Sequence, residues 1–90
     1  FETFGMKIIP GKKFEKKVAK LPIIIKKALA VKLTVFVGDP FAVILNNHQL
    51  HGEKKHYRSI NITGDYRLIF EQYDVDTVRL IDVDTHSNLY

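Results

Sequence analysis

This chain of 90 residues contains no cysteine, which excludes a disulfide frame and any cysteine-ligated metal. A chain without cysteine fits a reducing compartment, so the expected location is the cytoplasm. Proline and glycine are sparse, at 3 and 5 residues. No linker or low-complexity segment divides the chain, and residues 1–90 read as one domain. No apolar run approaches the ~20 residues of a membrane span, and no signal-peptide pattern opens the chain. A membrane is therefore not an expected partner. There is no internal repeat, no phosphate-binding glycine loop and no pattern of an activated serine or cysteine.

What is present is a globular composition, 46% hydrophobic and 27% charged, with a net charge of +4 and a pI near 9.4. A positive field raises encounter rates with polyanions, so a basic small domain fits phosphate-rich partners as well as simple solubility. A core this small is modest, and a partner would add to its stability.

Met6 to Ile9 reads as an opening strand closed by Pro10-Gly11. Phe1 to Gly5 is either an appended remnant or an extension of that strand. Phe14, Val18 and Leu21 fall at i, i+4 and i+7, one face of a first helix ringed by Lys12, Lys13, Lys16, Lys17 and Lys20. Pro22 breaks that helix and suits the first turn of a second. Ile25, Leu29, Leu33 and Phe36 give this second helix an apolar face, Gly38 stands as its C-cap and Pro40 stops it. Ile23 and Ile24 widen the apolar stripe beyond the needs of a two-layer packing. They are either buried under a sheet or form a patch covered by another chain. Phe41 to Leu45 allows one helical turn, and Asn46 to Lys55 is loop-like. His56–Ile62, Tyr66–Gln72 and Thr77–Val83 are strands, with Thr63-Gly64-Asp65 and Tyr73–Asp76 as turns. The order β-α-α-β-β-β predicts an α+β domain with two helices on one face of a four-stranded antiparallel sheet. Ile60, Ile62, Leu68 and Phe70 should face the helices, leaving Ser59, Asn61 and Arg67 on the opposite, open face.

The polar residues of Asn46 to Phe70 and of Thr85 to Tyr90 carry the chemistry. Arg67, in mid-strand, has a planar fork that matches a phosphate, although an ion pair with Glu71 or an aspartate would also explain it. His48 and His86, at the ends of the predicted sheet, can exchange protons near neutral pH, whereas His51 and His56 read as surface residues. Asp65 serves a turn or orients a histidine. Lys54, Lys55 and Arg58 add positive charge for phosphates, though Arg58 shares parity with Ile60 and would equally ring the core edge. Asp82, Asp84 and His86 alternate, and His48 and His51 lie three apart; neither is a recognised zinc spacing.

Four segments in order, His48-Gln49-Leu50-His51-Gly52, Tyr57-Arg58-Ser59, Gly64 to Phe70 and Thr85 to Tyr90, resemble the RelE/ParE superfamily of toxins, its YafQ-like branch most closely. The likeness runs from Met6 to Tyr90 and includes the Leu21-Pro22 break and the Asp39-Pro40 stop. It implies a RelE-like fold and the toxin of a type II toxin–antitoxin pair, which cuts mRNA in the ribosomal A site without a metal or other cofactor. It also implies a cognate antitoxin as partner, in a toxin–antitoxin hetero-oligomer, beside the ribosome and mRNA. By position His48, Asp65, Arg67 and His86 are the expected catalytic set. Lys54, Lys55, Arg58, Asn61 and Tyr90 are the expected substrate-binding set. Asn61 departs from the pattern, standing where a middle histidine is found; an amide cannot carry the proton. The alternative is a ParE-like toxin that inhibits DNA gyrase by binding, and a remnant that only binds an antitoxin is a third reading.

Overall fold

A computed structural model describes residues 2–3 and 6–90, with side chains from Met6 onward. The elements are β1 (Glu2–Thr3), β2 (Met6–Pro10), α1 (Lys12–Ala19), α2 (Ile23–Gly38), β3 (His48–Gln49), β4 (Tyr57–Asn61), β5 (Tyr66–Gln72), β6 (Thr77–Thr85) and α3 (His86–Leu89). Single 3₁₀ turns lie at Val43–Leu45 and Gly52–Lys54. Of the five residues ahead of Met6, Glu2 and Thr3 pair with Lys7 and Met6, and the other three lie outside the described residues.

The sheet is mixed and larger than the expected four antiparallel strands. Its order is β1-β2-β6-β5-β4-β3, with two-residue strands at both edges. The meander β4-β5-β6 is antiparallel as the hairpin spacings require. The first long strand differs: β2 runs parallel to β6, from Lys7 opposite Thr77 to Pro10 opposite Leu80. No tight turn joins these two strands. Two helices and the strands β3, β4 and β5 lie between them in the chain, and a connection that long permits a parallel pair.

The helix pair covers one face. Phe14 of α1 and Leu29 and Phe36 of α2 pack on Ile8, Ile60, Ile62, Leu68, Phe70, Val78, Leu80 and Val83. The Phe36 and Phe70 rings meet edge-on at 5.0 Å. The four residues expected to face the helices do so. Ile23 and Ile24 do not lie under the sheet; they are 65% and 74% exposed at the start of α2. Gly38 is the last residue of α2, and Asp39, extended, is the cap. Gly38 therefore ends the helix without a left-handed turn.

The second face is not open. Leu50, Ile69 and Leu89 bury one another there, flanked by Tyr57 and Ile81. A register shift at Ile69/Phe70 supplies Ile81, because Ile69 pairs with Asp82 and Phe70 with Leu80. Among the described residues, no helix is long and apolar enough to cross a membrane.

Gly11 sets the entry to α1. Its N–H donates to the Leu80 carbonyl at 2.8 Å, and a Cβ at this position would lie 2.7 Å from that same oxygen. Gly11→Ala should therefore destabilise the protein by about 1–3 kcal/mol through overpacking against main chain. Gly38→Ala, in a helix and in open space, should stabilise it by about 0.4–1 kcal/mol. Urea unfolding of the two variants checks both signs.

Candidate active site

Three segments of the chain meet over the second sheet face. The first is the loop that leads from α2 into β3. The Asp39 carboxylate accepts from the Phe41 N–H at 3.2 Å, Leu45 is fully buried, and Asn46 takes a left-handed conformation at φ 47° that asparagine tolerates better than most residues. Asn47 fixes the loop from both ends of its amide: it donates to the Pro40 carbonyl at 2.9 Å and accepts from Arg58 Nε at 2.7 Å. The Arg58 guanidinium also lies 5.3 Å from the Phe41 ring centroid. Arg58 is thus engaged in holding the loop, and it is not among the residues that line the hollow described below. Its parity with Ile60 put it at the core edge, the second of the two expected positions.

The loop delivers His48 into β3, opposite Ser59. His48 Nδ1 sits 2.8 Å from the Asn46 carbonyl. A carbonyl only accepts, so Nδ1 carries the hydrogen and the Nε2 lone pair is left to take a proton.

The second segment is the start of β5. Arg67 Nη1 donates to the carbonyls of Thr63, Gly64 and Tyr66 at 2.9, 3.2 and 3.1 Å. Among the described residues it makes no ion pair with Glu71 or an aspartate. One nitrogen of the fork anchors it to its own hairpin, and the rest of the guanidinium is left for another acceptor.

The third segment is α3. Thr85 is its N-cap and accepts from the Asn88 N–H at 3.3 Å. The His86 N–H donates to the Asp65 carbonyl at 2.8 Å. His86 and Tyr90, one turn apart, bring their ring centroids to 4.7 Å. At the far end, Lys54 Nζ donates to the Leu89 carbonyl at 2.9 Å, as a cation suits a helix C-terminus.

Between the segments lies a hollow of about 470 Å³, lined by His48, His51, Lys54, Arg67, His86 and Tyr90, with Asn46, Gln49 and Leu50 completing the wall. Five expected site residues therefore converge: His48, Arg67, His86, Lys54 and Tyr90. Asp65 reaches the site through its main chain. Its carboxylate is exposed at the hairpin and, among the described residues, bonds neither imidazole. Lys55 is exposed outside the hollow and supplies only its carbonyl, to Gln49 Nε2 at 2.8 Å. Asn61 stands across from Arg67, below the lining, and its Oδ1 and Ser59 Oγ are buried with no hydrogen-bond partner among the described residues. His51, read as a surface residue, lines the hollow. Asn46 was given no site role, and Gln49 and Leu50 were named only within the resembling segment. Leu50 did carry a signal, as a lone apolar side chain between two histidines in a polar loop.

No protein-family model matches the chain, and no curated protein matches it in sequence. Solved structures do. YafQ from E. coli superposes with a TM-score of 0.74 at 20% identity, over 94% of this chain and 98% of that one. The YoeB/ParE toxin from Agrobacterium tumefaciens gives 0.72 at 16%, over 90% and 99%. The toxin–antitoxin complex RelBE2 from Mycobacterium tuberculosis gives 0.74 at 23%, over 90% and 98%. The fold is that of the RelE/ParE/YoeB toxins.

In this RelE-like frame α3 is tied to α1 through β6. Asp84 accepts from Lys17 Nζ at 2.7 Å, from the Thr85 N–H at 2.7 Å and from Asn88 Nδ2 at 3.1 Å. Lys17 and Lys13 also pair with Asp82, each at 3.1 Å. The two carboxylates hold lysines, and no three histidines or carboxylates gather among the described residues.

The Lys17 hydrogen bond holds the Asp84 carboxyl below the usual carboxylate range, helped by Thr85 and Asn88 and opposed by burial. The same bond from Asp84 raises the Lys17 ammonium, again against burial. A depressed carboxylate contributes stability above its unfolded pKa and loses it as pH falls through the folded value. A raised lysine contributes below its unfolded pKa and loses it as pH rises through the folded value. The tether is therefore complete across the neutral range. Asp84→Asn should cost about 0.5–1.5 kcal/mol at pH 7. In urea unfolding at a series of pH values, that difference should shrink in acid and not grow.

Proposed function

We propose that this chain is the toxin of a type II toxin–antitoxin pair, a ribosome-dependent endoribonuclease that cuts mRNA in the A site. The observation that carries the reading is that one cationic hollow is lined by His48 and His86 together with the Arg67 guanidinium and the Lys54 ammonium. A protein that acted by binding alone would have no use for that set.

His48 Nε2 takes the proton of the ribose 2′-OH. The 2′-oxygen attacks phosphorus, the bond to the 5′-oxygen breaks, and the His86 imidazolium gives its proton to the leaving oxygen. The products are a 2′,3′-cyclic phosphate and a 5′-hydroxyl. Arg67 and Lys54 hold the phosphate as charge builds on it, so the proton transfers and the charge stabilisation need no metal. Tyr90, 49% exposed at the rim, orients a base. Asp65 positions His86 through its carbonyl. Lys55 contributes charge at longer range.

The partners in this reading are the ribosome, mRNA and a cognate antitoxin. The RelBE2 structure is a toxin–antitoxin complex, which supports such a partner for this fold. The exposed Ile23 and Ile24 offer it an apolar contact.

The likeness to a YoeB/ParE toxin supports the second reading, a toxin that inhibits gyrase by binding. The two part on which process stops first when the chain is expressed, translation or replication.

Mapping mRNA ends in a translating extract tests the first reading. The wild-type chain should yield 2′,3′-cyclic phosphate ends within A-site codons. His48→Ala and His86→Ala should each lower the cutting rate by about 10²–10⁴-fold, the usual worth of a positioned acid or base. Equal cutting by either variant removes that histidine from the reaction, and no cutting by wild type ends the nuclease reading.

A further inference from the structure

Successive side chains at the start of β5 serve two different hollows. Arg67 lines the histidine hollow, and Tyr66 lines another of about 450 Å³ between α1, the α1–α2 turn and the end of β6. Its floor is Tyr66, Leu21 and Pro22, and its wall includes Lys16, Lys17 and Lys20.

We propose that this second hollow is a nucleotide subsite for the RNA next to the scissile bond. A base stacks on the Tyr66 floor, and the neighbouring phosphates bind Lys16 and Lys20. The proposal rests on the ribonuclease reading and adds to it where the substrate strand runs.

Charge is the first support. Lys17 is occupied by Asp82 and Asp84, but Lys16 and Lys20 are exposed and make no ion pair among the described residues. They stand one turn apart on one helix face, as neighbours able to share a phosphate backbone. Asp84 also borders the hollow, yet its Oδ2 is covered by Lys17 and its Oδ1 by the Thr85 N–H and Asn88. The carboxylate therefore shows an incoming phosphate little bare charge.

The floor is the second support. An aromatic ring beside apolar side chains, rimmed by cations, suits single-stranded RNA, since every base has a stacking face. Continuity is the third. Tyr66 and Arg67 are adjacent on one strand, so RNA leaving the histidine hollow around the Thr63–Asp65 hairpin meets the second hollow next. An acidic protein segment would also use the lysines, but it would gain nothing from that adjacency.

The test is binding of a labelled eight-nucleotide RNA, blocked at every 2′ position by O-methylation, to the full chain over a range of salt. Lys16→Glu/Lys20→Glu should weaken binding by about 10–100-fold and flatten the slope of log K against log salt by about 1.4, the loss of two single-strand phosphate contacts. Tyr66→Leu keeps the apolar packing and removes the ring, so it should weaken binding with the slope unchanged. Thermal unfolding checks that both variants fold. Affinity and slope equal to wild type in the lysine variant overturn the subsite, as does wild-type chain that binds no RNA. Unchanged RNA affinity with lost affinity for an acidic antitoxin also overturns it, assigning the hollow to protein. Wild-type chain that binds RNA as described but cuts no mRNA sinks the nuclease reading and leaves the subsite standing.

Discussion

A small apolar contact on the sheet face away from the helices decides whether this molecule has a site. Leu50, Ile69 and Leu89 bury one another there. Each lies two or three residues from a side chain that lines the hollow: His48 before Leu50, Arg67 before Ile69, His86 before Leu89. Burying a leucine or isoleucine is worth about 1.5–3 kcal/mol. That is enough to dock a two-residue strand and a four-residue helix that could not persist alone. Polar links then fix what the pin brings together: Lys54 to the Leu89 carbonyl, the His86 N–H to Asp65, and the Asn47–Arg58 clamp behind His48.

The sheet is thus apolar on both faces, in unequal measure. The large face carries the helices and gives the fold its stability. The small face carries the loop and α3. The shift in register at Ile69/Phe70 joins the two, because it turns Ile81 toward the small cluster while Leu80 and Val83 stay in the large one. Past Leu80, β6 has no β2 partner, and α1 approaches that stretch through Lys13 and Lys17 instead. The lysine-rich helix is tied in this way to the strand that ends in His86.

Much of this was legible in the residues. Alternation in β4 and β5, the Thr63–Asp65 turn and the break at Pro22 follow from local rules, and these place the helix-facing core. The parallel pairing of β2 was hidden because no short turn fixes the direction of a strand that two helices and three strands separate from its partner β6. The second cluster was hidden because one leucine in a two-residue strand's loop and one in a single helical turn show no periodicity. Arg58 and Asp65 were placed in the expected site, each beside a second reading, the core edge for Arg58 and the turn for Asp65. Side-chain parity sent the first to Asn47 and Phe41, and main-chain geometry gave the second its role through a carbonyl. The alternation of Asp82 and Asp84 carried no recognised ligand spacing in sequence, and nothing local announces that Lys17, far back in the chain, pairs with both.

Amide hydrogen exchange in Leu89→Ala tests the apolar pin most directly. The His86 amide on the Asp65 carbonyl, the Tyr90 amide on the His86 carbonyl and the Leu50 amide on the Tyr57 carbonyl should lose protection together. The amides of Ile60 and Leu68 should keep theirs. Unchanged protection at His86 and Leu50 would mean that the histidine-bearing segments hold their places without the pin, and the account would be wrong.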